Sequence, residues 1–272
     1  MWRILGIELK RSMQNKLLFL SLFIGATLVV WYSLDTLPFA IEKNSNSAYG
    51  LYYDDFLEVS FTNWLGINNM YLQQNIYYLI IPFLAVLPFG LSFYTDLNEG
   101  YVKNILIRVK KKEYLIAKYF SVFISGGLSA VSPLVLSFMI SSAFLPSMLP
   151  EASYLFTNII SSDKWTDIFF TNPYAYIGIY SGLVFIFGGL LACMALTVSY
   201  FTSKSFLPLT FPFFVYLFSS LFCELTGLDQ FSVRKILETG EFGTLFSIAL
   251  MAVMFFVLSF VPYYIIGKAK DL

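Results

Sequence analysis

The sequence predicts an all-α integral membrane protein: six transmembrane helices, an N-terminal interfacial amphipathic helix, and both termini on the cytoplasmic side. Three observations predict it. The 272 residues are 58% hydrophobic and only 12% charged, with a mean hydropathy of +0.71, whereas soluble domains carry about a quarter charged residues. Six apolar runs are each near the ~20 helical residues that a hydrocarbon core requires. Thirteen of the seventeen basic residues fall on one side of those runs.

The first element is residues 1–16. Trp2, Leu5, Leu9 and Met13 recur at helical spacing, and Arg3, Lys10, Arg11 and Gln14 lie mostly elsewhere. This predicts a helix lying in the inner interface, its cations turned towards anionic headgroups. It would act either as a topology anchor or as a mechanical part.

The spans follow at 17–34, 76–94, 119–145, 174–201, 206–222 and 242–266, none with a charged residue. The first has basic residues before it, as a signal peptide would. No small-x-small cleavage site follows it, so it reads as an uncleaved span. Pro82, Pro88 and Pro133 are candidate kinks in the second and third spans. Gly178 and Gly182 form a GxxxG step, Ser125, Gly126, Gly127 and Ser129 cluster in the third span, and Gly188 and Gly189 follow in the fourth, so the bundle is expected to pack closely.

Thirteen basic residues against four orient the bundle. The majority side, which includes both ends and the 95–118 loop, is cytoplasmic. Outside, Asp35–Asn75 and Pro146–Pro173 carry Tyr49, Tyr52, Tyr53, Phe56, Phe61, Trp64, Tyr154, Phe156, Trp165, Phe169 and Phe170. Loops this aromatic are expected to rest on the outer leaflet or to pack as a lid. Cys223–Glu241 is expected to re-enter the outer membrane before the last span.

Chemistry narrows the function. There is no histidine, and Cys193 and Cys223 are isolated and expected unbonded, so triads, zincin motifs and zinc sites have no parts. No nucleophile–base pair or mid-membrane titratable group lies in a span, which weakens both an enzyme and an ion-coupled carrier. Sodium sites made of backbone and hydroxyl oxygens stay open. The single Gly–Lys step, Gly267–Lys268, is followed by Ala269 and is no phosphate loop. Any ATP-driven function therefore needs the nucleotide on another chain. Nothing points to a nucleic-acid partner.

The loop Asp96–Lys118, DLNEGYVKNILIRVKKKEYLIAK, holds six basic residues in 23 positions. Its acidic-x-x-acidic-Gly opening, Asp96-Leu-Asn-Glu99-Gly100, is followed by Arg108 and by Tyr114-Leu-Ile-Ala-Lys118. With the topology and length, this resembles the membrane subunit of type-2 ABC exporters, the ABC-2 permease family. The resemblance covers the whole chain. It implies a multi-pass permease of the bacterial cell membrane, working as a homo- or heterodimer with a separate ATPase that holds ATP and Mg. No catalysis and no cofactor of this chain's own is implied. The loop would be a coupling helix seated in an ATPase groove, with Asp96, Glu99, Gly100, Tyr101, Lys103 and Arg108 at the contact. Gly100 would allow close backbone approach. The N-terminal helix, with Trp2, Leu5, Leu9, Lys10 and Arg11, would be the family's interfacial connector helix. The Lys110–Lys112 run is richer than the family pattern and is expected to anchor on anionic lipid. Cargo would be an amphipathic peptide, an antimicrobial or another hydrophobic compound. The competing classes are an ion-driven secondary carrier and a non-transporting membrane sensor or scaffold.

Overall fold

The computed structural model describes residues 2–47, 57–67, 71–150, 164–238 and 244–269. Every regular element among them is helical: α1 (Trp2–Met13), α2 (Lys16–Ser47), α3 (Leu72–Val86), α4 (Ser92–Asn98), α5 (Tyr101–Leu106), α6 (Lys111–Phe144), α7 (Lys164–Thr171), α8 (Pro173–Val198), α9 (Phe206–Leu225), a 3-10 turn at Asp229–Phe231, α10 (Val233–Leu237) and α11 (Leu245–Ala269). Five of them, α2, α6, α8, α9 and α11, are long and apolar enough to cross a membrane.

Helix ends follow local chemistry. The α1–α2 turn is made by Asn15, whose Oδ1 accepts from Leu17 N at 3.1 Å while its Nδ2 donates to Pro88 O at 2.6 Å. The side chain thus caps α2 and pins the turn to another part of the chain. Asn172 caps α8 by accepting from Ala175 N at 3.2 Å, with Pro173 in the first turn where its missing N–H costs nothing.

The second apolar run departs from the expected span 76–94. Its helix, α3, is 15 residues long and stops at Val86, and residues 87–91 turn before α4 begins. Pro88 has no N–H to give to the carbonyl four residues back, which accounts for the stop. Several other helix ends overrun the expected spans, while α8 stops at Val198, short of 201. α6 starts eight residues early at Lys111, and α2 continues to Ser47.

α8 is the most enclosed of the long helices, and α9 and α11 the least. α8 packs on α6, α11, α9 and α3, and α6 also meets α1 and α2. Glycines set the α6–α8 approach: a Cβ on Gly126 would lie 2.4 Å from Ala192 Cβ, and one on Gly188 2.5 Å from Ala130 Cβ. Gly178 and Gly182 take no part, since nothing lies within 4 Å of a Cβ there. Hydroxyls stitch the bundle. Tyr77 donates to Ala130 O at 2.7 Å, Ser129 to Leu84 O at 2.7 Å, and Thr197 to Ser259 O at 3.0 Å. In an apolar surround these bonds replace water as the partner of each hydroxyl.

Residues 57–67 fold back over the bundle as a lid rather than lying on an outer leaflet. Phe61 and Trp64 are buried, Trp64 meets the Tyr180 ring edge-on at 5.6 Å, and Leu65 N donates to Ser137 Oγ at 2.9 Å. Phe169 is likewise buried, against Tyr176. Tyr49, Tyr52, Tyr53, Phe56, Tyr154, Phe156 and the Trp165 side chain lie outside the described residues. After α9, the α10 turn inserts Val233, Ile236 and Leu237 into the core, and Tyr180 OH donates to Leu237 O at 2.6 Å. Cys193 and Cys223 are both buried and unbonded to each other.

Candidate functional site: a buried ion cluster behind the basic loop

Four charged side chains from three distant parts of the chain converge where α1, α4 and the start of α6 meet. Lys118 Nζ lies 2.5 Å from Asp96 Oδ2 and 3.1 Å from Glu8 Oε2. Arg11 reaches the same two carboxylates, with NH2 2.8 Å from Asp96 Oδ1 and NH1 2.9 Å from Glu8 Oε1. Tyr114 OH donates to Asp96 Oδ2 at 3.2 Å. Two acids and two bases make the cluster neutral.

Burial makes this arrangement consequential. Glu8 and Lys118 are wholly inaccessible and Asp96 nearly so, while the Arg11 side chain keeps 34% of its exposure. Aromatic rings close the remaining sides. The Lys118 ammonium sits 4.3 Å from the Phe89 ring centroid, and the Arg11 guanidinium 4.2 Å from that of Tyr101. Low polarity strengthens each attraction but makes any unpaired member costly. Burial pushes the Asp96 carboxyl upwards, yet the charges and hydrogen bonds of Lys118 and Arg11 outweigh it and hold Asp96 below its ordinary value. For Arg11 burial likewise opposes the charge, and Asp96 and Glu8 raise it overall.

The helices place these groups by period. Glu8, Ser12 and Asn15 lie three or four positions apart, so α1 turns one polar stripe inward. This corrects the expectation that Arg11 faces headgroups, since it turns inward to Asp96. Of the stripe expected to be apolar, Trp2 is 79% exposed and Leu5, Leu9 and Met13 are half-buried, and Lys10, expected off that stripe, is exposed.

The six loop residues separate into two faces. Glu99, Lys103 and Arg108 are exposed together with Asn104, and Ile107 is 83% exposed at the loop's outer end. Asp96 faces inward, occupied by Arg11 and Lys118, and is not on the outer face. Tyr101 is half-buried beneath Arg11. Gly100 has φ 72° and open space where a Cβ would sit. The left-handed turn between α4 and α5 therefore calls for glycine, whatever lies beyond this chain. Glu8, Phe89 and Ile107 were not singled out by the sequence. The inward stripe of α1 was the available signal for Glu8.

The cluster has no spare carboxylate for a metal, and among the described residues no group of three His, Cys, Asp or Glu side chains comes together elsewhere. It is an electrostatic clasp, joining the N-terminal helix to the basic loop and to a membrane helix. The fold and the clasp together define a multi-pass helical membrane protein whose polar loop is anchored to the bundle. No family model, curated protein or solved structure matches the chain.

Proposed function

We propose that this chain is the permease subunit of an ATP-driven exporter of the ABC-2 type. It crosses the bacterial cell membrane six times, with α3 as the short second crossing and both chain ends in the cytoplasm. Two such chains form the path, and a separate ATPase holding ATP and Mg docks on the loop. Glu99, Lys103, Ile107 and Arg108 make the contact, and Gly100 shapes it.

The observation that carries the reading is the two-sided loop. Its outer face offers charged groups and one bare isoleucine, and its inner face is held to α1 and α6 by buried ion pairs. A force applied to α5 by a moving ATPase then reaches α6 and α1 through Asp96 rather than dissipating in a slack loop. Nucleotide supplies the energy by binding differently to two states of the assembly. The uncharged, aromatic spans suit an amphipathic peptide, an antimicrobial or another hydrophobic compound as cargo.

Mild-detergent co-purification from the native host tests this. A Walker-type ATPase should accompany the chain in near-equal amount and be lost with Glu99→Arg and with Gly100→Trp. A chain that purifies alone, with no ATP hydrolysis, refutes the reading.

A further inference from the structure

Residues 59–67 are buried without interruption, yet they form turns and bends rather than helix. They enter the bundle at the end opposite the basic loop, beside the last turns of α6 and the first turns of α8. Their contact at Ser137 lies two turns before the end of α6 at Phe144, a depth of about 10 Å. Non-helical backbone at such depth is tolerated only where protein encloses it or where it lines a water-filled path.

Phe61 meets the rings of Phe138 in α6 and Tyr174 in α8, at 5.8 and 4.9 Å. Trp64 meets those of Phe138 and Tyr180, at 6.1 and 5.6 Å. Each ring thus bridges the two helices whose glycine seam closes farther in. The backbone is gripped by other elements: Leu65 N donates to Ser137 Oγ at 2.9 Å, and Ser141 Oγ donates to Asn63 O. At the rim, Asn44 Nδ2 donates to Glu58 O at 2.9 Å and its Oδ1 accepts from Glu58 N at 2.7 Å. Lys43 pairs with Glu58 at 2.7 Å, and Ser60 Oγ lies 3.0 Å from Ser147 Oγ.

Three features set this segment apart from the helices around it. A helix satisfies its backbone internally, whereas these turns depend on separate polar contacts, each of which water can replace. The Asn63 side-chain oxygen is buried without a hydrogen-bond partner, a cost that hydration removes. The one ion pair of the segment stands at the rim, where Lys43 and Glu58 are both partly exposed.

We propose that residues 58–67 are a plug that withdraws as a unit. Its withdrawal opens to water a cleft between α6 and α8, lined by Ser137, Phe138, Ser141, Tyr174 and Tyr180. The inference requires that the bundle sit in a bilayer. It goes beyond the exporter reading and does not depend on it, because opening is read on the chain itself.

The test is thiol labelling of the full chain in open membrane fragments of the native host, where both faces meet a water-soluble maleimide. Leu65→Cys and Val59→Cys are made separately, and labelled sites are mapped by mass spectrometry. Native Cys193, wholly buried in α8, is the internal control. Both positions should label at least about tenfold faster than Cys193, at rates within about threefold of each other. Val59→Cys removes little volume, so agreement between the two shows that the leucine substitution did not itself loosen the plug. The Ser60→Cys/Ser147→Cys pair, placed on the 3.0 Å hydroxyl contact, should form a disulfide that suppresses labelling of Leu65→Cys until it is reduced. Labelling no faster than that of Cys193 overturns the proposal. So does labelling confined to one of the two positions, which marks local fraying, or labelling that the disulfide leaves unchanged. A pair that does not oxidise contradicts the seating of the plug and overturns it too.

Discussion

Lys118 Nζ lies 2.5 Å from Asp96 Oδ2, and both side chains are buried. Lys118 stands on a long apolar helix and Asp96 on the short helix before the basic loop, so this one contact joins the loop to the bundle. Removing the ammonium leaves two buried carboxylates with only Arg11 between them. Lys118→Met is expected to cost about 3–5 kcal/mol, read as a lowered thermal midpoint in detergent. Adding Asp96→Asn should recover part of the loss, because Glu8 and Arg11 then remain as a balanced pair. A double variant no better than the sum of the singles would mean that the two groups are not coupled.

Acid should loosen the same contact. The folded-state value of Asp96 lies below its ordinary 3.8. Its contribution is therefore complete above the unfolded value and is lost as the pH falls through the lower, folded one. Between about pH 5 and 8 this group adds no slope to stability. Below about pH 4 stability should decline, and Asp96→Asn should flatten that part of the profile. Thermal midpoints measured across the acid range check it.

The α6–α8 seam separates two kinds of glycine. Gly126→Ala puts a methyl 2.4 Å from Ala192 Cβ and 2.9 Å from Ala85 O, and should cost about 1–3 kcal/mol. Gly178→Ala meets open space and should be neutral, or stabilising by up to about 1 kcal/mol through helix propensity. Detergent unfolding of the two variants side by side gives the comparison.

Gly100 offers a test of conformation against size. At φ 72° an alanine is strained by roughly 1–2 kcal/mol, although the space beside it is empty. Asparagine tolerates this region better and is the larger residue. Gly100→Asn should therefore retain more protease resistance in the 95–118 loop than Gly100→Ala. The reverse order would mean that the left-handed conformation does not set this position.

Much of the architecture was legible because a membrane imposes it. The long apolar helices follow from hydrocarbon thickness, and the basic loop stands out from its charge. The glycine between α4 and α5 was visible too, although the left-handed turn that calls for it was not. The break after Val86 was signalled by Pro88, but an uninterrupted apolar run hides a turn that lies within the bundle. The clasp was harder to see. Asp96 and Lys118 are 22 positions apart and meet Glu8 only through tertiary folding. The apolar spacing of Trp2, Leu5, Leu9 and Met13 drew attention to one side of α1, whereas Glu8 and Arg11, off that stripe, make the contacts with Lys118 and Asp96. Polar side chains on an amphipathic helix mark a protein-facing side when their partners are charges of another segment.

The most direct measurement is site-specific photo-crosslinking in the native host, with a photoreactive residue at Ile107, 83% exposed on the loop, and in a separate variant at buried Val102. The expected result is a crosslink from position 107 to a nucleotide-binding ATPase and none from position 102. A position 107 that crosslinks only to lipid, or to no protein, would contradict the docking of an ATPase on this loop.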